Sequence, residues 1–554
     1  MNHFHMLGRR SFGRHHALAC AGLVALLGVA GCVKPSTEKG LAELRQARRA
    51  AAHHPRRIII NHDGCYYDGK PQNADEPRTA ENFLKKGVTA LAVPKRSQVD
   101  AVFYCTGVFD LYSHRSRESE FKTSGSNRWD WAYELAQGDQ DDLQIVTDFC
   151  HEHGMEAFWS MRMNDTHDSA PHAELGLWKR AHPDCLMGTP GDKFPHGAGR
   201  WSAVNYGQVE VRDKVFRILQ DVCTTHSVDG VELDFFRHPI LFKPQMTGEP
   251  VTLEQCNLMT DLLRRIRRMT EDVGLRRGRP LLLSVRVPDS EGFCRALGLD
   301  VSRWMQEDLI DLLVVSGYFR LNSWKTSVAW GHRYGVPVYA SLDESRLAEP
   351  FKAMRRRLPE SYRGRALQAW SEGVDGIYTF NLQKPALPLY WEMGDPALLE
   401  RLDKFYSTGD RPLRPNYYLK DGKLFATQPE DPLPEHPRLL KPGQSTTVEL
   451  EVPDRLASGS EDGEKPRGEV WLAMTDPVDP AQVAVRCNGI AAGKGTLRKE
   501  KKIPQDWLVY PLNAGTLVTG TNRLEVTLGT DAAGPVKLQD ALLWLRYSPP
   551  TPGS

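Results

Sequence analysis

Between Arg57 and Leu382, eight short β-branched or aromatic runs alternate with amphipathic stretches of helical period. The runs are Ile58–Asn61, Ala101–Cys105, Glu156–Met161, Gly230–Phe235, Leu281–Val287, Leu309–Ser316, Val336–Ser341 and Gly376–Asn381. Strands separated by helices must lie parallel, because only a crossover returns the chain to the same edge of a sheet. Eight such units predict a closed (β/α)8 TIM barrel of the α/β class over residues 55–406. The helical stretches agree with this. Val211, Val215, Ile218 and Val222 fall on one helix face, and Thr252-Leu-Glu-Gln255 reads as a capping box. The next helix carries Arg264, Arg265, Arg267 and Arg268, read as a solvated outer face. Two segments echo each other: Val228-Asp-Gly-Val-Glu-Leu-Asp-Phe235 and Val374-Asp-Gly-Ile-Tyr-Thr-Phe-Asn381.

Outside the barrel the texture changes. Residues 407–440 are proline-rich and read as a linker. Short alternating runs follow over residues 441–548, with an Asn488-Gly489 turn, and predict a β-sandwich of jelly-roll type. At the other end, Arg9, Arg10 and Arg14 precede an apolar run from Ala17 to Ala30 that ends in Val29-Ala-Gly-Cys32. Residues 1–32 therefore read as an export signal resembling a lipobox, with Cys32 as the lipidated residue. This implies a membrane partner reached through a lipid anchor and a place in the cell envelope. Arg9-Arg10-Ser11-Phe12 also resembles a twin-arginine export motif. Residues 33–54, polar and alanine-rich, read as a tether.

Of ten cysteines, the eight from Cys65 to Cys487 show no C-x-x-C pair, which excludes a zinc ribbon and leaves room for one or two disulfides. Charged residues are 25% of the chain with a net charge of +1, which offers nothing to nucleic acid. Ten of the 13 tryptophans lie between Trp129 and Trp391, in the barrel segment. Flat aromatic faces of this kind pack on sugar rings as well as in cores.

Reacting groups of such a barrel sit at the C-terminal strand ends. Glu232 and Asp234 are two apart on the fourth strand and so face the same side, followed by Arg237, His238 and Pro239. Asn61, His62 and Asp63 follow the first strand; Arg162, Asn164, Asp165 and His167 follow the third. Arg286 ends the fifth, Tyr318 follows the sixth, and Asp343 and Glu344 follow the seventh. Glycosidic cleavage needs two carboxyls in differing surroundings. The expected mechanism has Asp234, raised by burial, protonating the leaving oxygen, while Glu344 or Glu232 attacks the anomeric carbon or activates water. Arg237 and Tyr318 would orient the acids. His62, Asp63, Arg162 and Asn164 would bond sugar hydroxyls, and Tyr378, Trp129 and Trp131 would stack on rings. A structural alternative is an ion-pair network in which Arg237 partners the acids.

The segment Asp229-Gly-Val-Glu-Leu-Asp-Phe-Phe-Arg-His-Pro239 resembles the fourth-strand signature of bacterial family-10-like glycoside hydrolases, matching it at Asp229, Gly230, Asp234, Arg237 and Pro239. The similarity extends over about Arg57 to Tyr406, with Gly376–Asn381 resembling that family's last strand. It implies a TIM barrel acting on a polysaccharide or oligosaccharide, with Asp234 in a catalytic position and no cofactor or metal. Two other readings fit the residues. A metal-dependent hydrolase or deacetylase would gather His62, Asp63, His167 and His238, although no H-x-H follows the first strand and no H-E-x-x-H occurs. A non-catalytic lipoprotein would use the same mouth only to hold glycan.

Overall fold

The structure is a computed structural model. It describes residues 38–547 apart from 65–76, 78, 90–96, 122–133, 137, 170–174, 197–199, 344–356, 383–387, 409–414, 428–432, 434–435, 457–465 and 501–502. Eight parallel strands close into a barrel: β1 Ile58–His62, β2 Val99–Tyr104, β3 Glu156–Arg162, β4 Gly230–Asp234, β5 Leu282–Val287, β6 Leu312–Val315, β7 Val338–Asp343 and β8 Gly376–Phe380. They pair in chain order, and β8 returns to β1 with Ile377 opposite Ile58. Each expected run overlaps one of them. The seventh strand, Val338–Asp343, both starts and ends later than expected, which brings Asp343 into the strand itself.

Register decides which side chains meet on the axis. Ser160 lies beside Glu232, Glu232 beside Ser284, and Ser341 beside Tyr378. The Tyr378 hydroxyl donates to Glu232 across the barrel at 3.0 Å, so this layer points inward. Barrel interiors are ordinarily filled by branched aliphatic side chains. Here the layer below the mouth is small and polar instead.

The echoed segments have a physical reason. In each, the aspartate before the strand accepts a backbone N–H from the neighbouring strand and is held by a histidine at the end of the helix that leads into that neighbouring strand. Asp229 accepts from Ala157 N at 2.8 Å and contacts His151 Nε2 at 2.9 Å; Asp375 accepts from Val338 N and contacts His332 Nε2, both at 2.7 Å. Asp311, just before β6, does the same with Leu283 N at 2.7 Å, but its cations are Arg48 and Arg267.

That contact corrects two expectations. Residues 33–54 are not simply a tether: Glu38–Ala52 is an α-helix whose Leu44, Arg48 and Ala52, four apart, are buried together. Arg48 reaches Asp311 at 2.6 Å and Asp308 at 2.5 Å, and Arg45 reaches Glu271 at 2.7 Å. Arg267 is likewise buried on Asp311 and Leu309 O rather than solvated, while Arg264 and Arg265 do lie outside, paired with Glu307 and Asp213. Polar composition reads as solvent-facing until carboxylates from distant strand ends are brought alongside. The helix Val209–Thr225 buries Val211, Val215, Ile218 and Val222 as expected, and Thr252 and Gln255 form the capping box.

The C-terminal domain is a sandwich of two antiparallel sheets around Val448, Leu450, Val470, Leu472, Leu524, Val526 and Leu543. Lys404–Ser407 pairs with Val536–Arg546, as does Arg438–Leu440, so both ends of the expected linker belong to this sheet. The middle of that segment rests on the barrel, with Lys420 N on Gly248 O at 2.9 Å and Ser290 Oγ on Phe425 O at 3.2 Å. The seven described cysteines are buried, with no disulfide among the described residues.

Removing one partner of a buried ion pair strands the other charge. Arg48→Ala is expected to lower stability by about 3–5 kcal/mol in urea denaturation. A change within experimental error would show that the N-terminal helix is not part of the folding unit.

Candidate active site at the mouth of the barrel

The two β4 carboxyls lie in opposite surroundings. Asp234, at the strand end, is 2% exposed and accepts four hydrogen bonds. Phe236 N, Arg237 N and Arg286 Nε approach Oδ1 at 3.0 Å each, and Arg286 Nη2 approaches Oδ2 at 2.8 Å. Glu232, one layer deeper, is fully buried, and its Oε2 accepts from Ser160 Oγ at 2.5 Å and from Tyr378. Burial and the neighbouring Asp234 charge push the Glu232 carboxyl up to about 8, against the pull of Arg286 and the two hydroxyl donors. Around pH 7 the deeper acid is therefore held neutral. The upper one is tied into a bidentate ion pair.

These contacts differ from those expected. All four groups around Asp234 donate to it, the surroundings that suit a carboxylate. Its cation is Arg286 on β5, not Arg237. The Phe380 ring lies 3.9 Å from the Arg286 guanidinium carbon. Gly317 makes room on another side: a Cβ there would sit 2.6 Å from Arg286 Nη1. Backbone at the strand ends is held in the left-handed region, at Ser316 with φ 74° and Asn381 with φ 54°. Such conformations persist where the surroundings over-determine them.

A second group of charges forms the rim. Arg162 bridges Asp63 at 2.5 Å and Asp165 at 2.9 Å. The Asp165 Oδ1 receives the backbone N of His167 at 2.8 Å and its ring Nδ1 at 2.6 Å. Arg237 donates to the Tyr318 hydroxyl, places Nη2 3.2 Å from His167 Nε2, and keeps Nε 3.9 Å from Asp165. Burial acts to raise both acids, yet Arg162 and Arg237 hold Asp63 below its ordinary value. The His167 hydrogen bond and Arg162 hold Asp165 well below it. His167 stands out, with 51% of its side chain exposed beside groups that are nearly all covered.

Other expected residues are placed differently. Tyr378 is fully buried on the axis, under the mouth, and cannot stack on a ring. His62 is buried against Tyr104, ring centroids 5.4 Å apart, and burial lowers it to about 4; Gly64 N donates to its Nδ1 at 3.1 Å. Asn164 spends its amide as a strut: Nδ2 donates to Val204 O at 2.8 Å and to Ile240 O, and Oδ1 accepts from Val204 N. Tyr318 remains at the rim. Glu344, Trp129, Trp131 and Cys32 lie outside the described residues. Sequence reasoning missed Ser160, Ser284 and Ser341, whose only signal was serine at inward positions of strands.

Asp165, His167 and His238 have ligand atoms within 4.8 Å of one another, the arrangement a cation would need. The cluster fits a metal poorly. Arg162 already occupies Asp165, Arg237 faces His167 Nε2, and Thr166 N donates to His238 Nδ1 at 3.1 Å. His62 and Asp63, the other members of the expected metal set, are turned to Gly64 and Arg162.

No family model matches the chain, and no curated protein matches it. Among solved structures it resembles α-L-fucosidase isoenzyme 2 from Paenibacillus thiaminolyticus at 13% identity and TM-score 0.39, over 63% of this chain and 49% of that one. It resembles the PgaB (BpsB) glycoside hydrolase domain from Bordetella bronchiseptica at 10% and 0.37, over 62% and 97%. A family 18 N-acetylglucosaminidase from Paenibacillus barengoltzii gives 11% and 0.35, over 62% and 99%. The chain spans about half the length of the fucosidase. The barrel itself rests on the strand pairing above.

Two measurements check this electrostatic picture. Glu232 carries a folded-state value raised to about 8 from 4.5, so the native state binds the extra proton and loses stability as pH rises between those values. Glu232→Gln should match the wild type near pH 4.5 and become relatively more stable toward pH 8 in thermal melts. A constant difference across that range would refute the buried neutral acid. Metal analysis of the purified protein should find no stoichiometric zinc, and a stoichiometric content would restore the metal-hydrolase reading.

Proposed function

We propose that this protein is a glycoside hydrolase, related to the family-10-like enzymes that its fourth-strand segment resembles. The observation that carries the reading is the β4 pair: two carboxyls on one strand, one held neutral and one held in an ion pair, at the end of a barrel where reacting groups gather. In this reading Asp234 carries the negative charge that an oxocarbenium-like transition state requires. Its Oδ2 accepts only one of the four donors, which leaves a lone pair for the anomeric carbon. Glu232 supports it from below. The proton for the leaving oxygen then comes from another strand end, and Glu344, next to Asp343 of β7, is assigned that role. Arg237, Arg162, Asp63 and Tyr318 line the entrance and orient a polysaccharide or oligosaccharide. Export through the N-terminal signal and lipidation at Cys32 would place the enzyme in the cell envelope.

The test is a hydrolysis screen on peptidoglycan strands, plant polysaccharides and sulfated algal glycans. Wild-type protein should release reducing ends from one of these classes. Asp234→Asn should lower kcat on the order of 10³-fold, the scale of losing transition-state charge stabilisation. Because that substitution also weakens the Arg286 pair, folding is checked by melting, and Arg286→Lys serves as a second probe expected to reduce turnover. Full activity in both variants, or no cleavage of any glycan by the wild type, would overturn the assignment.

A further inference from the structure

We propose that the rim of this mouth recognises an anionic group on its glycan, a carboxylate or a sulfate ester, through Arg200 and Arg237. The proposal rests on the glycoside hydrolase reading and names the substrate class that the reading leaves open. Arg237 is 5% exposed, so its charge is almost wholly withdrawn from water. Such a charge is costly unless an opposite one meets it closely. Here the guanidinium spends its hydrogen bonds on uncharged acceptors, the Tyr318 hydroxyl and His167 Nε2 at 3.2 Å. Its Nε is buried without a hydrogen-bond partner, 3.9 Å from Asp165. The Tyr318 and Phe380 rings lie 5.9 and 5.8 Å from the guanidinium carbon, near the limit of a cation–π contact.

The nearby carboxylates are committed elsewhere. Asp63 and Asp165 both bridge to Arg162, Asp165 also holds the His167 ring at 2.6 Å, and Asp234 is paired with Arg286. Arg200 stands on the other side of the same patch. Its one hydrogen bond among the described residues runs from Nη1 to Thr166 Oγ1 at 3.1 Å, and it forms no ion pair among them. Thr166 Oγ1 lies 3.2 Å from His238 Nδ1, and the His238 ring is 5.2 Å from that of His167. A short chain of contacts therefore joins the two guanidiniums. His238 adds no charge between them. Burial above all, with Arg237 and Arg200 adding to it against the pull of Asp165, holds it well below its ordinary value.

On this side of the mouth Arg162, Arg200 and Arg237 thus share the two carboxylates Asp63 and Asp165, which leaves one positive charge over. That surplus is open to a ligand. Arg200 is partly exposed and has guanidinium hydrogens to spare, and His167 beside it keeps 51% of its side chain exposed. Arg200 supplies the accessible donors, and Arg237 supplies the charge behind them. A guanidinium meets carboxylate and sulfate oxygens alike through charge-assisted hydrogen bonds. A neutral sugar would leave the surplus as it is, whereas an anionic one completes the pairing.

The experiment uses full-length protein and two readouts. In the first, sodium sulfate and sodium glucuronate are titrated at millimolar concentration, where general stabilisation by salts is small, against sodium chloride of equal ionic strength. One or both should raise the melting temperature of the wild type saturably, and neither should raise that of Arg200→Gln or Arg237→Gln. Arg200→Gln, at a partly exposed position, keeps the test open should Arg237→Gln fail to fold. Equal shifts in wild type and Arg200→Gln, or no shift with either salt, would overturn the proposal. In the second, the glycan found by the screen is compared with its desulfated and its carboxyl-reduced forms. Removing the recognised group should raise KM about tenfold or more, the scale of one charge-assisted hydrogen bond, and Arg200→Gln should show the same rise on the untreated polymer. A rise on desulfation assigns a sulfate ester, and a rise on carboxyl reduction assigns a uronate. An unchanged KM after both treatments would overturn the proposal while leaving glycan hydrolysis standing. A wild type that cleaves no glycan would remove the hydrolase reading, and the titration alone would then decide the anion site.

Discussion

The Asp234–Arg286 pair is the contact around which the mouth is arranged. Two residues from neighbouring strands are buried together, and each would be costly without the other. The surroundings show the consequence. Gly317 has no side chain, the Phe380 ring covers the guanidinium, and the chain turns after β4 so that two backbone N–H groups reach the same carboxylate. Glu232 beneath feels that charge, and together with burial it keeps the deeper carboxyl protonated near neutral pH. Burial does most to raise the deeper acid, and the two halves of the ion pair pull on it in opposite directions, Asp234 upward and Arg286 downward.

The barrel uses similar chemistry for different ends at its two faces. At the N-terminal face, Asp229, Asp311 and Asp375 each cap a neighbouring strand and take a cation or histidine from a helix. Asp229 and Asp311 have partners on both carboxylate oxygens. That is how a carboxylate stabilises a fold. At the C-terminal face the carboxylates are also paired, but a few polar atoms are left over: Glu232 Oε1, Ser284 Oγ, Ser341 Oγ and Arg286 Nη1 are buried without partners among the described residues. Leaving such atoms unmet is unfavourable, and it accumulates where a protein handles a polar ligand.

The rim adds a different device. The Asp165–His167 contact is local, two residues apart in the chain, yet its setting is not. Arg162 at the end of β3 locks Asp165 from one side, and Arg237 from the loop after β4 meets the imidazole from the other. Arg237 also donates its backbone N–H to Asp234. One residue therefore touches both the charged carboxylate and the exposed imidazole, and it couples the two halves of the site.

What the sequence determined by itself is whatever depends on local period. Apolar spacing placed the eight strands and the inward face of Val209–Thr225, and the two-residue repeat of a strand put Glu232 and Asp234 on the same side. Only the tertiary structure decided which charges would meet. Asp234 is paired with Arg286, 52 positions away, and Tyr378 bonds Glu232 across 146. The basic, alanine-rich N-terminal segment reads as solvated until Asp308 and Asp311 are brought beside it. The physical reason is common to all three. A side chain's surroundings, and so its protonation and its partners, are set by strands that adjoin it in space, and closing a barrel brings together residues that no local pattern connects.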